Sequence, residues 1–188
     1  MLVMKLIDII KPRDGDGTKR IIVSDLDETL VFTDKSMLVA SEDITGTKMS
    51  RGEIRKLPTN LKARIYDRAQ EVYSDLLGLN HELLDAYKTM KSAGYELMVL
   101  TARPVHVFGP TENVLKNNGI PYDYLMLRAA MHISDREWKR RVLEDLSRKY
   151  DDVLFFDDRE ENLSAIAGIN GGRIRCFKVS EKTLGAYP

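Results

Sequence analysis

The sequence predicts a doubly wound α/β fold, and three observations carry that expectation. Its short apolar runs are continuous rather than alternating, as strands covered by helices on both faces are. Helical patterns with a period of three to four fill the intervals between them. One polar and then helical stretch interrupts the alternation, as an inserted subdomain does.

Residues 2–10 read as a first strand, and Asp14-Gly15-Asp16-Gly17 is a turn signal before the next apolar run, Ile21-Ile22-Val23. Leu97 to Leu100, Leu125 to Leu127 and Val153 to Phe156 are the further buried strands, and Arg173 to Val179, with Cys176 and Phe177 inside, adds another. Leu61, Ile65, Ala69, Val72 and Leu76 recur at helical spacing. Leu83, Leu84, Tyr87 and Met90 do so after Asn80, a residue suited to an N-cap. Helices are also expected over Thr111 to Asn118, closed by Gly119, over Asp135 to Tyr150 behind Ser134, and over Glu160 to Ala167 before Gly168. Right-handed crossovers between parallel strands gather the strand carboxyl ends along one edge, where ligands bind in such folds. Between Leu30 and about Asn80 no strong βα unit occurs, which sets the expected division: a core of residues 1–33 and 81–188 with an insert at 34–80.

Composition narrows the function. The chain has 188 residues, 43% of them apolar and 31% charged, so it holds one main core rather than a disordered tract or two independent globules. Lys and Arg number 29 against 29 Asp and Glu, so no overall field draws the chain to nucleic acid or lipid, and any such attraction is local. No run approaches the ~20 apolar residues of a membrane helix, and the N-terminal apolar run is broken by Lys5 and Asp8 without a cleavage site. The single Cys176 forms no internal disulfide and reads as a buried inert thiol. A cytoplasmic protein is expected.

Three strand exits carry chemistry. After Val23, Asp25-Leu26-Asp27-Glu28-Thr29 puts two carboxylates on one side of an extended segment, an arrangement that needs a cation between them or a held proton. Hard oxygen ligands of this kind suit magnesium. After Leu100, Thr101-Ala102-Arg103 offers a hydroxyl, backbone N–H groups and a planar donor fork, all suited to phosphate oxygens. After Phe156 comes Asp157-Asp158-Arg159, a second carboxylate pair. Singly these read as an acidic surface turn, a helix cap with a solvated arginine, and an acidic first helix turn. Together, converging at one sheet edge, they are the parts that metal-assisted phosphoryl chemistry requires. A cation to hold the nucleophile completes the set, and Lys139, just before the third acidic strand, is preferred over Arg140, Arg141 and Lys149.

Asp25-Leu26-Asp27-Glu28-Thr29, Thr101, Lys139 and Asp157-Asp158, in that order, resemble motifs one to four of the haloacid dehalogenase (HAD) superfamily of aspartate-nucleophile phosphatases, over about residues 20–180 without the insert. Thr101-Ala102-Arg103 and Asp157-Asp158-Arg159 are similar to the 3′-phosphatase half of phage polynucleotide kinases, while Asp25 to Leu30 also resembles phosphatases of the RNA polymerase tail. The resemblance implies a Rossmann-like three-layer sandwich with a small, mostly helical cap at 34–80. It implies Asp25 as nucleophile, Asp27 as general acid and base, Thr101 holding the phosphoryl oxygens, Lys139 pairing with Asp25, and Ala102 and Arg103 at the substrate. It further implies Mg2+ on the Asp25 carboxylate, the Asp27 backbone carbonyl and Asp157, with Asp158 orienting that shell.

In that family the segment after motif one covers the site. Here Lys48, Arg51, Arg55, Lys56, Lys62, Arg64 and Arg68 give it seven bases within 21 positions, against Glu53 and Asp67, so a nucleotide or a phosphorylated nucleic-acid end is the expected substrate. Tyr66 and Tyr73 are suited to stacking on bases or to the insert's own core. His81, His106 and His132 have no zinc-ligand spacing, and Trp138 packs beside the Lys139 helix. No G-x-x-x-x-G-K-[ST] loop occurs, so a kinase or ligase acting with this protein is expected on a separate chain. Two other classes are weighed: a receiver-like phospho-acceptor, disfavoured because D-x-D precedes every other motif, and a non-catalytic nucleic-acid adaptor using the basic insert.

Overall fold

The computed structural model describes residues 17–129, 132–167, 169–180 and 183–186. The strand expected at residues 2–10, most of the turn after it, and Gly168 lie outside the described residues.

Among the described residues the main sheet has six strands: β1 (Arg20–Ser24), β4 (Glu96–Pro104), β5 (Tyr124–Arg128), β6 (Asp152–Asp157), β7 (Ile174–Ser180) and β8 (Thr183–Ala186). Their spatial order is β5-β4-β1-β6-β7-β8, parallel throughout except for β7 and β8. Every apolar run from Ile21 onward that was expected to be a strand lies in this sheet. Helices α4 (His81–Ser92), α5 (Phe108–Asn117), α6 (Asp135–Lys149) and α7 (Glu160–Ser164) connect the strands.

Alternation along β1 explains the layering. Ile22 faces a cluster with Leu83, Leu84, Tyr87 and Met90 of α4 and Val114 and Leu115 of α5, while Ile21 and Val23 face Leu143 and Leu146 of α6 and Leu163 of α7. A parallel strand between two helical layers must be apolar on both sides, which accounts for the continuous runs. The edge strand β5 departs from this rule, with Tyr124 45% and Met126 38% exposed. Cys176 is buried between the layers, and burial pushes its thiol up to about 11, in keeping with an inert group.

The insert contains α1 (Asp34–Thr45), α2 (Arg51–Arg55) and α3 (Thr59–Glu71), flanked by a two-stranded antiparallel ribbon of β2 (Val31–Phe32) and β3 (Gly78–Leu79). Ser50 and Glu53 form a capping box that starts α2. Met37, Ala40, Ile54, Ile65 and Ala69 make a third apolar cluster, against which Tyr66 and Tyr73 pack. The helical period expected to run from Leu61 to Leu76 stops at Glu71, and Val72 is 45% exposed rather than core. The last connecting helix is likewise shorter than expected, ending at Ser164. Trp138 packs against the second cluster as expected.

Candidate active site

The carboxyl ends of β1, β4 and β6 are adjacent because β1 lies between the other two, so the three motif-bearing segments leave the sheet side by side. The Asp25 amide donates to the Phe156 carbonyl at 2.9 Å, extending the parallel ladder into the first acidic motif. The chain then turns sharply. The amides of Thr29, Leu30 and Val31 all point to the Leu26 carbonyl, and Glu28 takes φ +62°, a left-handed conformation costly for a side-chain-bearing residue. Its carboxylate compensates, accepting from the Thr33 amide at 2.8 Å and hydroxyl at 2.7 Å and pairing with Arg51 of α2 at 2.7 Å.

Lys139 is fully buried and is the centre of the charge array. Its Nζ lies 2.8 Å from Asp157, 3.1 Å from Asp25 and 3.6 Å from Asp135. Residues 135, 139, 143 and 146 share the buried face of α6, whereas Arg140 and Arg141 pair with Glu137 on the other side. Burial works against the Lys139 charge, but Asp25, Asp157 and Asp135 together outweigh it and hold its pKa above the ordinary value. For Asp25 the balance runs the other way. Burial raises its pKa well above the carboxylate range, Lys139 opposes, and Asp157, Asp135 and Asp158 add to the rise.

Oxygens of Asp25, Asp157 and Asp158 lie within 4.8 Å of one another. Asp157 is already well supplied with donors: the Arg159 amide at 2.8 Å, the Asn162 amide group at 3.0 and 3.1 Å, and Lys139. Asp158 is pushed up to about 6 by burial and by Asp157, with Lys139 and Arg51 opposing. Three crowded carboxylates facing one ammonium leave an excess of negative charge, which is the donor chemistry a hard divalent cation satisfies.

The carboxylate of Asp27 does not join this cluster. Arg103 takes it in a fork, Nη2 to Oδ1 at 2.6 Å and Nε to Oδ2 at 2.9 Å, and also reaches the Thr111 hydroxyl at 3.3 Å. The Arg103 side chain is only 1% exposed, so the solvated arginine considered for the isolated motif is not what the fold contains. The Thr101 hydroxyl accepts from the Arg103 amide at 3.2 Å, within the last residues of β4, where its pairing with β5 shifts register.

Sequence reasoning missed Asp135, Asn162 and Thr111. Asn162 bridges Asp135 and Asp157, and only its position five residues after Asp157, in the first turn of α7, pointed to it. Part of the insert's positive surplus is neutralised: Arg51 by Glu28, Lys48 by Glu42, and Arg68 by Asp43, with the Arg68 guanidinium 5.8 Å from the centre of the Tyr73 ring.

Comparisons with known proteins bear on the family and the fold. The family model of NLI interacting factor-like phosphatases matches residues 20–184. Among solved structures, the fold resembles a chain of the Pnkp1/Rnl/Hen1 RNA repair complex, with a TM-score of 0.61 and 22% identity over 91% of this chain and 46% of that one. A haloacid dehalogenase-like hydrolase, SP0104 from Streptococcus pneumoniae, superposes with a TM-score of 0.61 and 12% identity, covering 87% and 88% of the two chains. A predicted phosphoglycolate phosphatase from Haemophilus somnus gives 0.60 and 16%, covering 86% and 85%. This chain spans about half the length of the RNA-repair chains it matches. No curated protein matches its sequence.

Proposed function

Because this chain belongs to the NLI interacting factor-like phosphatases, a HAD-like family, we propose that it is a magnesium-dependent phosphomonoesterase working through an aspartyl-phosphate on Asp25. The observation that carries this reading is the juxtaposition of Asp25, Asp157 and Asp158 with Lys139 at one sheet edge.

Asp25 attacks phosphorus as the bond to the leaving oxygen breaks, and Asp27 gives that oxygen its proton. Asp27 then takes a proton from the water that attacks the aspartyl-phosphate, releasing phosphate and restoring Asp25. Lys139 keeps Asp25 oriented and offsets the charge gathered around it. The Thr101 hydroxyl and the amides near Ala102 face the phosphoryl oxygens, and Arg103 acts through Asp27, whose carboxylate it orients. Bound by Asp25, Asp157, Asp158 and the Asp27 carbonyl, Mg2+ would supply charge neutralisation that lets one anion approach another.

For the substrate we favour nucleotides or polynucleotide 3′-phosphate ends. The likeness of Thr101-Ala102-Arg103 and Asp157-Asp158-Arg159 to polynucleotide 3′-phosphatases and the bases that remain on the insert support this. A kinase or ligase on a separate chain fits such a role, as would a cytoplasmic setting. Among the described residues no helix is long and apolar enough to cross a membrane. The test is phosphate release from an aryl phosphate and a 3′-phosphorylated oligonucleotide with Mg2+. Asp25→Asn should abolish both, and unchanged release by that variant removes Asp25 as nucleophile.

A further inference from the structure

On one side of the sheet β7 is covered by β8, but on the other the sheet ends at β5, and among the described residues no strand pairs with its outer N–H and C=O groups. Proteins that keep such an edge free shield it with lysine, proline, an inward-pointing charge or a bulge. The run Tyr124-Leu125-Met126-Leu127-Arg128 has neither lysine nor proline, and its only charge stands at the end. The one irregularity in its pairing lies on the β4 side, beyond Leu127. Alternation splits the strand into two faces. Leu125 packs on the apolar cluster shared with α4 and α5 and Leu127 is buried, which leaves Tyr124 and Met126, 45% and 38% exposed, on the same face as Arg128. The Tyr124 hydroxyl is held by Glu96 and Tyr150, so its ring is fixed in place, while Arg128 joins no ion pair among the described residues.

Laid antiparallel against itself, this strand is self-complementary. With Met126 of one copy opposite Met126 of another, Leu125 stands opposite Leu127 on the covered face and Tyr124 stands opposite Arg128 on the open one. The open face then sets a guanidinium without a carboxylate beside a fixed aromatic ring, and two-fold symmetry makes that contact twice. Other registers lose the match. A shift of one residue puts the core face of one copy beside the solvent face of the other, and a shift of two leaves Arg128 or Tyr124 without its counterpart. We propose that two copies of this chain associate through β5, about a two-fold axis at Met126, so that their sheets run on as one. The ladder is only five residues long, so the pair is a weak one that dissociates on dilution.

Sedimentation equilibrium of the full chain tests this, with a dissociation constant on the order of 10 μM expected. Met126→Lys sets two like charges face to face at the axis and should weaken association by about a hundredfold or more, without changing the fold seen by circular dichroism. A second pair of variants reads the register. In Met126→Cys the two thiols meet across the axis at the Cα separation of paired strands, about 4.5–5.5 Å, so mild oxidation should link the copies. In Tyr124→Cys the two thiols lie about 13 Å apart along the strands and should not link. The native Cys176 is buried and takes no part. A chain that stays single at millimolar concentration overturns the proposal. So does a pair that Met126→Lys leaves intact, or a Met126→Cys protein that links no faster than Tyr124→Cys.

Discussion

Arg103 and Asp27, 76 positions apart in the chain, meet in a two-bonded fork at 2.6 and 2.9 Å, with the guanidinium inside the protein and the carboxylate 26% exposed at its surface. An arginine in that position fixes both the place and the plane of the carboxylate, which a lysine cannot do. Its loss should therefore be felt through Asp27. Arg103→Lys is expected to lower kcat by about ten- to a hundredfold on alkyl phosphates, whose leaving oxygen needs a proton, and by much less on an aryl phosphate with an acidic leaving group. Equal losses on both substrates would remove the link through Asp27.

Lys139 is buried against three carboxylates. Removing one member of a buried ionic cluster leaves uncompensated charge, and such changes cost about 3–5 kcal/mol. Lys139→Met should lower the free energy of unfolding in urea by that amount at neutral pH. A variant as stable as the parent would show that another cation carries the balance.

Asp158 gives the pH dependence. Unfolded it titrates near ~3.9, and folded it is pushed up to about 6. Between those values the folded chain holds a proton that the unfolded chain has lost, so stability falls as pH rises through the window and stays lower above it. A divalent cation bound by the cluster counters this by favouring the charged form. In the presence of a chelator at pH 7.5, Asp158→Asn should melt above the parent protein, and excess Mg2+ should raise the parent more than the variant. Calorimetric scans in both conditions decide it; a variant that melts no higher in chelator contradicts the assignment.

Asp152 lies at the opposite end of β6 from Asp157, about 16 Å away at strand spacing. It is fully buried, accepting from the Tyr95 hydroxyl at 2.9 Å and from Arg175 at 2.7 and 3.2 Å. Asp152→Ala orphans both partners and should cost about 2–4 kcal/mol, while kcat at a temperature where the variant is folded stays that of the parent. A large fall in kcat would tie the amino end of the strand to the site.

Much of the scaffold was legible because burial on two faces writes itself as continuous apolar runs, as in Val153 to Phe156. The edge strand β5 was less so: its run looks the same, yet one flank is open and Tyr124 meets solvent. At the site, the acids and Lys139 could be listed because each follows a strand or precedes one at a recognisable distance. The pairings could not. Nothing in the order of residues says that Arg103 turns inward to Asp27, or that Asp135 and Asn162, 27 positions apart, share a hydrogen bond at 3.2 Å. Such contacts depend on helix rotation and side-chain direction, which only packing sets. The basic insert illustrates the same limit, since Glu28 and Glu42, partners that quench Arg51 and Lys48, lie outside the span in which the bases were counted.

The β2–β3 ribbon is only two residues wide on each side, and it carries both covalent connections between the three-helix insert and the sheet. An element that owns its apolar cluster and is tethered at one narrow neck is an exchangeable part. Grafting a different helical piece onto the neck would re-address the site to another substrate with no change to the strands themselves, provided the graft again offered Glu28 a cation in place of Arg51.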